Sequence, residues 1–203
     1  MASNLDIARK QSKIKRINDR LRQMRLQFGG KSSGFYQSFR NAIALAVPPE
    51  ALTNEGTIST SKKTLDKIPD DVLDDLLLHH TAGQIKKEAA EAAKRESEIT
   101  GKKVTTKQYL KAQDYVEKII QNDGDTAYEA LTIYWSKAGG RGSGAPRIPY
   151  TEWANIINDL YAMDEARRAG NMTEANNIEN KMYKRIEDRN EKQRQRAMEE
   201  LFS

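Results

Sequence analysis

Several clusters in this chain have side chains that chemistry uses, and their spacing decides what each can do. Gly30-Lys31-Ser32 has the closing residues of a phosphate-binding loop, in which glycine backbone and a lysine cradle phosphates. That loop needs a glycine at position 25, where Arg25 stands, and a strand before it, where a helical stripe runs instead. The two glycines, Gly29 and Gly30, therefore read as a helix stop. His79 and His80 are the only histidines. Neighbours on a helix point about 100° apart, so this pair does not chelate one metal. Asp70, Asp71, Asp74 and Asp75 fall at the start of a predicted helix, where the dipole favours carboxylates. A two-metal centre would need a second cluster that is absent from the sequence. With no cysteine, there is neither a disulfide framework nor a thiolate nucleophile. No strands are predicted to carry a nucleophile elbow. The chain reads as not an enzyme, with no cofactor and no metal site.

Two features remain. The first is cationic. Residues 1–40 carry ten Lys/Arg against two Asp, a net +8 within a total of +5. Residues 41–100 carry −4, residues 101–150 carry +3 and residues 151–203 carry −2. Arg9, Lys10, Lys13, Lys15, Arg16, Arg20, Arg22 and Arg25 surround an apolar seam of Ile14, Ile17, Leu21, Met24 and Phe28. The steps of three and four are those of a heptad. Such a helix binds either another helix, by self-association through the seam, or phosphates. The charge excess favours nucleic acid. Aromatic residues are sparse in residues 1–30, so backbone contact without sequence preference is expected rather than base stacking.

The second feature is Ala138–Pro149, AGGRGSGAPRIP, with four glycines and two prolines. It joins two helical stripes that carry Trp135 on one side and Trp153, Ile156, Ile157 and Leu160 on the other. A glycine-rich stretch like this reads either as a plain linker or as a loop that reaches something, and the second reading rests on its excess length, since a helical hairpin needs only a few connecting residues. At its middle Ser143 stands between Gly142 and Gly144, with Arg141 and Arg147 nearby. Ser143 is the hydroxyl this stretch offers most openly, with Tyr150 the runner-up. Thr151 is expected to cap a helix, and Ser136 sits beside Trp135.

The elements that would position these groups are helices throughout. Stripes predict helices over about 5–28, 34–47, 69–80, 81–99, 106–122, 125–138, 151–169 and 171–203. Thr81 with Gln84 and Asn171 with Glu174 have capping-box spacing; Thr106 and Asp125 are read as further caps. Residues 50–63, small and polar, are read as a loop or hinge. The 82–99 helix is polar nearly all round and is expected to span an exposed gap or pack through its alanines. The expected fold class is all-α, an elongated set of helical hairpins with a C-terminal bundle. Residues 1–49 would form a basic DNA-binding region, 50–124 an intermediate region and 125–203 a C-terminal region. MASNLDIARK lacks the apolar stretch of a signal peptide, and no later segment approaches a membrane span. A cytoplasmic place and no membrane partner are expected.

In this order of parts the chain resembles the terminal proteins of phages that start DNA replication from a protein primer. The similarity rests on basic IKRINDRLRQMRLQF first, a hinge near 50–63, and a helix–loop–helix around AGGRGSGAPRIP. It covers most of the chain as architecture and rests on no diagnostic motif. The resemblance implies a partner DNA polymerase that joins the first nucleotide to a loop hydroxyl, so that the protein stays covalently attached to the DNA 5′ end. The polymerase would supply the metals and the base. A C-terminal part at −2 against +8 at the other end would suit a channel built for duplex DNA. The alternatives are a helical scaffolding protein and a non-specific DNA-binding accessory protein.

Overall fold

A computed structural model describes residues 4–139 and 147–202. The fold is all-α. Among the described residues the only paired extended backbone is an isolated bridge between Leu52 and Ile58. The chain divides into two compact units, Met1–Lys87 and Glu88–Ser203. The expected breaks near 49 and 124 each fall inside a unit.

The N-terminal unit is built on α1 (Asn4–Gln27), whose seam is its core. Ile14, Ile17, Leu21 and Met24 are at most 3% exposed. They face α2 (Gly34–Ala46), α3 (Lys62–Leu65) and α4 (Asp70–Leu78). Each buried side chain of this size contributes roughly 2 kcal/mol. The seam is thus covered by its own chain, which removes the surface expected to mediate self-association. Gly29 and Gly30, at φ +92° and +95°, end the helix as expected. The Gly30 N–H donates back to the Arg25 carbonyl at 2.8 Å, a closure that needs left-handed backbone. Phe28 then meets Phe35 of α2, with ring centroids 4.3 Å apart.

Residues 50–63 form the irregular connection expected, but it is packed and is not a free hinge. A 3-10 turn (Pro49–Ala51) buries Ala51, and Ile58 is 1% exposed. Asn18 of α1 clamps the segment: its amide nitrogen donates to the Ile58 carbonyl and its oxygen accepts from the Ile58 N–H, both at 2.9 Å. A polar stretch is held in place by satisfying its backbone.

The helix α5 (Ala82–Thr100) begins at the predicted Thr81–Gln84 capping box, with both reciprocal bonds present. It packs through small residues, Ala82 in the first unit and Ala89 and Ala93 in the second. The second unit adds α6 (Thr106–Asn122), α7 (Gly124–Ala138), α8 (Tyr150–Arg168) and α9 (Met172–Leu201). These four pack on one another as a bundle. Its core holds Val116, Ala130, Tyr134, Ile156, Ile157, Met182 and Ile186. Three helix starts are shifted from expectation. Thr105, not Thr106, caps α6 because Gln108 stands three residues on. Asp123, not Asp125, caps α7 by accepting from the Thr126 N–H. The helix α8 opens at Tyr150, with Pro149 at the cap position, so Thr151 lies inside its first turn. Asn171 caps α9 as expected. No helix among the described residues is long and apolar enough to cross a membrane.

Candidate functional site

The eight cations of α1 divide by what they touch. Lys10 Nζ donates to the carbonyls of Leu65 (3.2 Å) and Ile68 (2.8 Å), closing the end of α3. Lys13 pairs with Asp70 (3.0 Å) and Asp74 (2.7 Å). Its hydrogen bonds to Asp74 and then Asp70 hold its pKa above the ordinary lysine value. Arg20 Nη1 donates to the carbonyls of Leu77 (2.6 Å) and His79 (2.8 Å) at the end of α4. Burial, then the Arg16 charge, lowers the Arg20 pKa. These three tie α1 to its neighbours. Arg22 reaches Asp19 at 3.5 Å, with both ends open to water, a pair that adds little. Arg9, Lys15, Arg16 and Arg25 are exposed and hold no ion pair among the described residues. Arg9 and Arg16 are seven apart, as are Lys15 and Arg22. Two rows of exposed charge therefore flank the outer face of the helix.

The other sequence clusters take structural places. Asp70 and Asp74 are the partners of Lys13. The His79 ring lies against Phe39, centroids 5.4 Å apart, and burial is the main cause that lowers its pKa. Among the described residues no group of three or more His, Cys, Asp or Glu is placed to hold a metal. Gly30-Lys31-Ser32-Ser33-Gly34 has the spacing of a nucleophile elbow, yet it joins two helices and follows no strand.

Ser143 and Arg141 lie outside the described residues, and both flanks of their segment are described. On one side α7 ends at Gly139, whose φ is +80°. Tyr134 is fully buried, and Trp135 and Ala138 pack on the bundle core. On the other side Ile148 and Pro149 are buried. Trp153 Nε1 donates to the Ala127 carbonyl at 2.9 Å, and its ring packs on the core with Leu160. Ile156 and Ile157 are fully buried, as their spacing predicted. Both ends of the 140–146 segment are anchored in the core of one unit.

Tyr150 is in a different state from a presented hydroxyl. Its ring stacks on Trp153, with centroids 5.9 Å apart and planes at 15°, and meets Tyr109 edge-on. Its hydroxyl donates to Glu117 at 3.5 Å. Burial, then the Glu117 charge, pushes its pKa up to about 12. Ser136 Oγ donates to the Ile133 carbonyl at 2.9 Å.

Two buried ionic groups in the second unit escaped the sequence reading. Arg189 and Glu96, 7% and 5% exposed, form a two-pronged ion pair between α9 and α5. Arg189 also donates to the Tyr134 hydroxyl and to Gln193, each at 3.0 Å. Burial works against its charge, and Glu96 more than offsets that, leaving the pKa raised. Arg185 bridges Glu152 (2.9 Å) and Asp159 (2.8 Å). Burial raises the Glu152 pKa against the pull of Arg185. No local pattern marks these residues, since each reads as one more charge on a polar helix. No family model, no curated protein and no solved structure matches the chain.

Proposed function

We propose that this protein is a primer for DNA replication, with Ser143 as the hydroxyl that accepts the first nucleotide from a DNA polymerase. One observation carries the reading. The segment that spells Gly-Ser-Gly is anchored at both ends in a packed bundle, by Tyr134 and Trp135 on one side and Ile148 and Trp153 on the other. Two neighbouring hydroxyls are engaged, Tyr150 with Glu117 and Ser136 with a carbonyl, and Thr151 lies in the first turn of α8. In the reaction the serine oxygen attacks the α-phosphorus of a deoxynucleoside triphosphate. A phosphodiester forms, pyrophosphate leaves, and the hydroxyl proton passes to a base on the polymerase. The polymerase supplies the metal ions that stabilise the developing charge, so the primer needs no catalytic group of its own. The unpaired cations of α1 would hold the DNA backbone.

The free cations also favour a simpler reading, a non-specific DNA-binding accessory protein, which would bind duplex and accept no nucleotide. The deciding experiment incubates the full chain with the replicative polymerase of the same genome, magnesium and labelled deoxynucleotides, followed by mass spectrometry. The expected result is one nucleotide on Ser143, lost in Ser143→Ala and kept in Tyr150→Phe. An adduct on Tyr150 would overturn the assignment of Ser143. Absence of any adduct would overturn the primer reading and leave the accessory reading.

A further inference from the structure

A cleft of about 380 Å³ opens in the C-terminal unit between α5, α6, the residues just before α8, and α9. Neither priming nor DNA binding by α1 uses it. The volume is at the lower end of the roughly 300–1,000 Å³ typical of small-molecule sites. Ala89 and Ala92 of α5 leave the room, where longer side chains would fill it.

Its polar groups come from separate elements and converge. Arg95 of α5 and Arg147 before α8 both line the cleft, are exposed, and hold no ion pair among the described residues. Both guanidinium charges act on the Tyr109 hydroxyl, favouring its ionised form against the stronger effect of burial. That hydroxyl accepts from the Tyr150 N–H at 3.3 Å, which leaves its own proton to donate. Gln113 lines the same wall with an amide that has no hydrogen-bond partner among the described residues. Glu88 and Glu91, one to two turns before Arg95 on the same helix face, supply carboxylate acceptors. The Glu96–Arg189 pair at the wall is neutral as a unit. The cleft therefore presents both cationic donors and carboxylate acceptors.

We propose that this cleft binds a nucleoside phosphate. Arg95, Arg147 and the Tyr109 hydroxyl hold the phosphate, and an exocyclic amine of the base donates toward Glu88 and Glu91. Guanidinium groups suit phosphate because their planar N–H donors make charge-assisted, often paired hydrogen bonds. The inference stands on the cleft alone and does not rest on the primer reading, since it requires no polymerase and no covalent bond. The phosphate has two natural sources, a free nucleotide or the 5′ end of a DNA strand.

The test is calorimetric titration of the full chain with deoxyadenosine 5′-monophosphate, deoxyadenosine, inorganic phosphate, thymidine 5′-monophosphate and a 5′-phosphorylated single strand. Saturable binding of the adenine nucleotide is expected, at least tenfold tighter than either of its pieces and tighter than the thymine nucleotide, whose base has no exocyclic amine. Arg95→Gln and Arg147→Gln are each expected to weaken it by roughly tenfold or more, with Arg9→Gln without effect. Tighter binding of the strand with the same arginine dependence would identify a strand end as the source; equal or weaker binding would identify the free nucleotide. The proposal is overturned if the adenine nucleotide does not saturate, if inorganic phosphate binds as tightly, or if both arginine variants bind as the parent does. The comparisons among ligands on the unaltered chain keep the result readable should a variant misfold.

Discussion

If α1 holds DNA by its backbone, the cations that do so are those the fold leaves exposed, Arg22 among them because its pair with Asp19 lies open to water, and salt can count them. Binding to duplex loses affinity with a slope in log salt of about −0.9 for each phosphate neutralised. Arg9, Lys15, Arg16, Arg22 and Arg25 give about −4.5, and all eight cations of α1 would give about −7. Between 50 and 200 mM salt those slopes correspond to losses of roughly 500-fold and roughly 20,000-fold, which fluorescence anisotropy separates easily. Substituting Arg9, Lys15 and Arg16 together by glutamine is expected to reduce the slope by about 2.7, with the melting temperature unchanged. Lys10→Met and Arg20→Met are expected to do the reverse. Each strands two carbonyls that now receive hydrogen bonds, a loss of about 1–3 kcal/mol in stability, and each leaves the slope near its parent value. A Lys10 or Arg20 variant that folds at parent stability and loses salt dependence would refute the division into tied and free cations.

Two further outcomes follow from the C-terminal unit. Trp153→Ala is expected to cost on the order of 3 kcal/mol in urea unfolding, because a ring packed on the bundle core and a hydrogen bond to Ala127 are both lost; a change below about 1 kcal/mol would show that the anchor is not where the ring sits. Tyr150 is expected to ionise near pH 12 in an ultraviolet titration, against about 10 for a free phenol. Its folded pKa is the raised one, so its stabilising contribution is complete below about pH 10 and is lost as pH rises through about 12; Tyr161 is raised to about 12 as well, so Tyr150→Phe should make the decline shallower without abolishing it.

What the sequence made legible has a local cause, and what it hid has a distant one. The seam of α1 is a period within one helix, and Ile156 and Ile157 belong to a stripe within another, so both could be read by counting. The Thr81–Gln84 capping box closes within four residues and was equally readable. The tied cations were not: Lys10, Lys13 and Arg20 meet groups 55 to 61 residues away, and α1 by itself offers no reason to separate them from Arg9 or Lys15. The packed state of residues 50–63 was hidden for the same reason, because it depends on Asn18, forty residues earlier, meeting Ile58. Glu96 and Arg189 are 93 residues apart. Only a fold that brings α5 against α9 turns two ordinary surface charges into one buried pair.

The charge asymmetry also holds between the two compact units, with a different meaning. Taken by compact unit, residues 1–87 carry fifteen Lys/Arg and nine Asp/Glu, a net +6, and residues 88–203 carry nineteen and twenty, a net −1. The first unit holds the excess that attracts a polyanion. The second is almost neutral, and several of its charges are spent on each other, Arg189 with Glu96 and Arg185 with Glu152 and Asp159. A duplex carries one negative charge for every 1.7 Å or so of its length, and a net −1 cannot imitate that field. If the C-terminal unit occupies a channel made for DNA, its fit has to come from the shape of the bundle and from local contacts, and its entry should be much less sensitive to salt than the binding of DNA by α1.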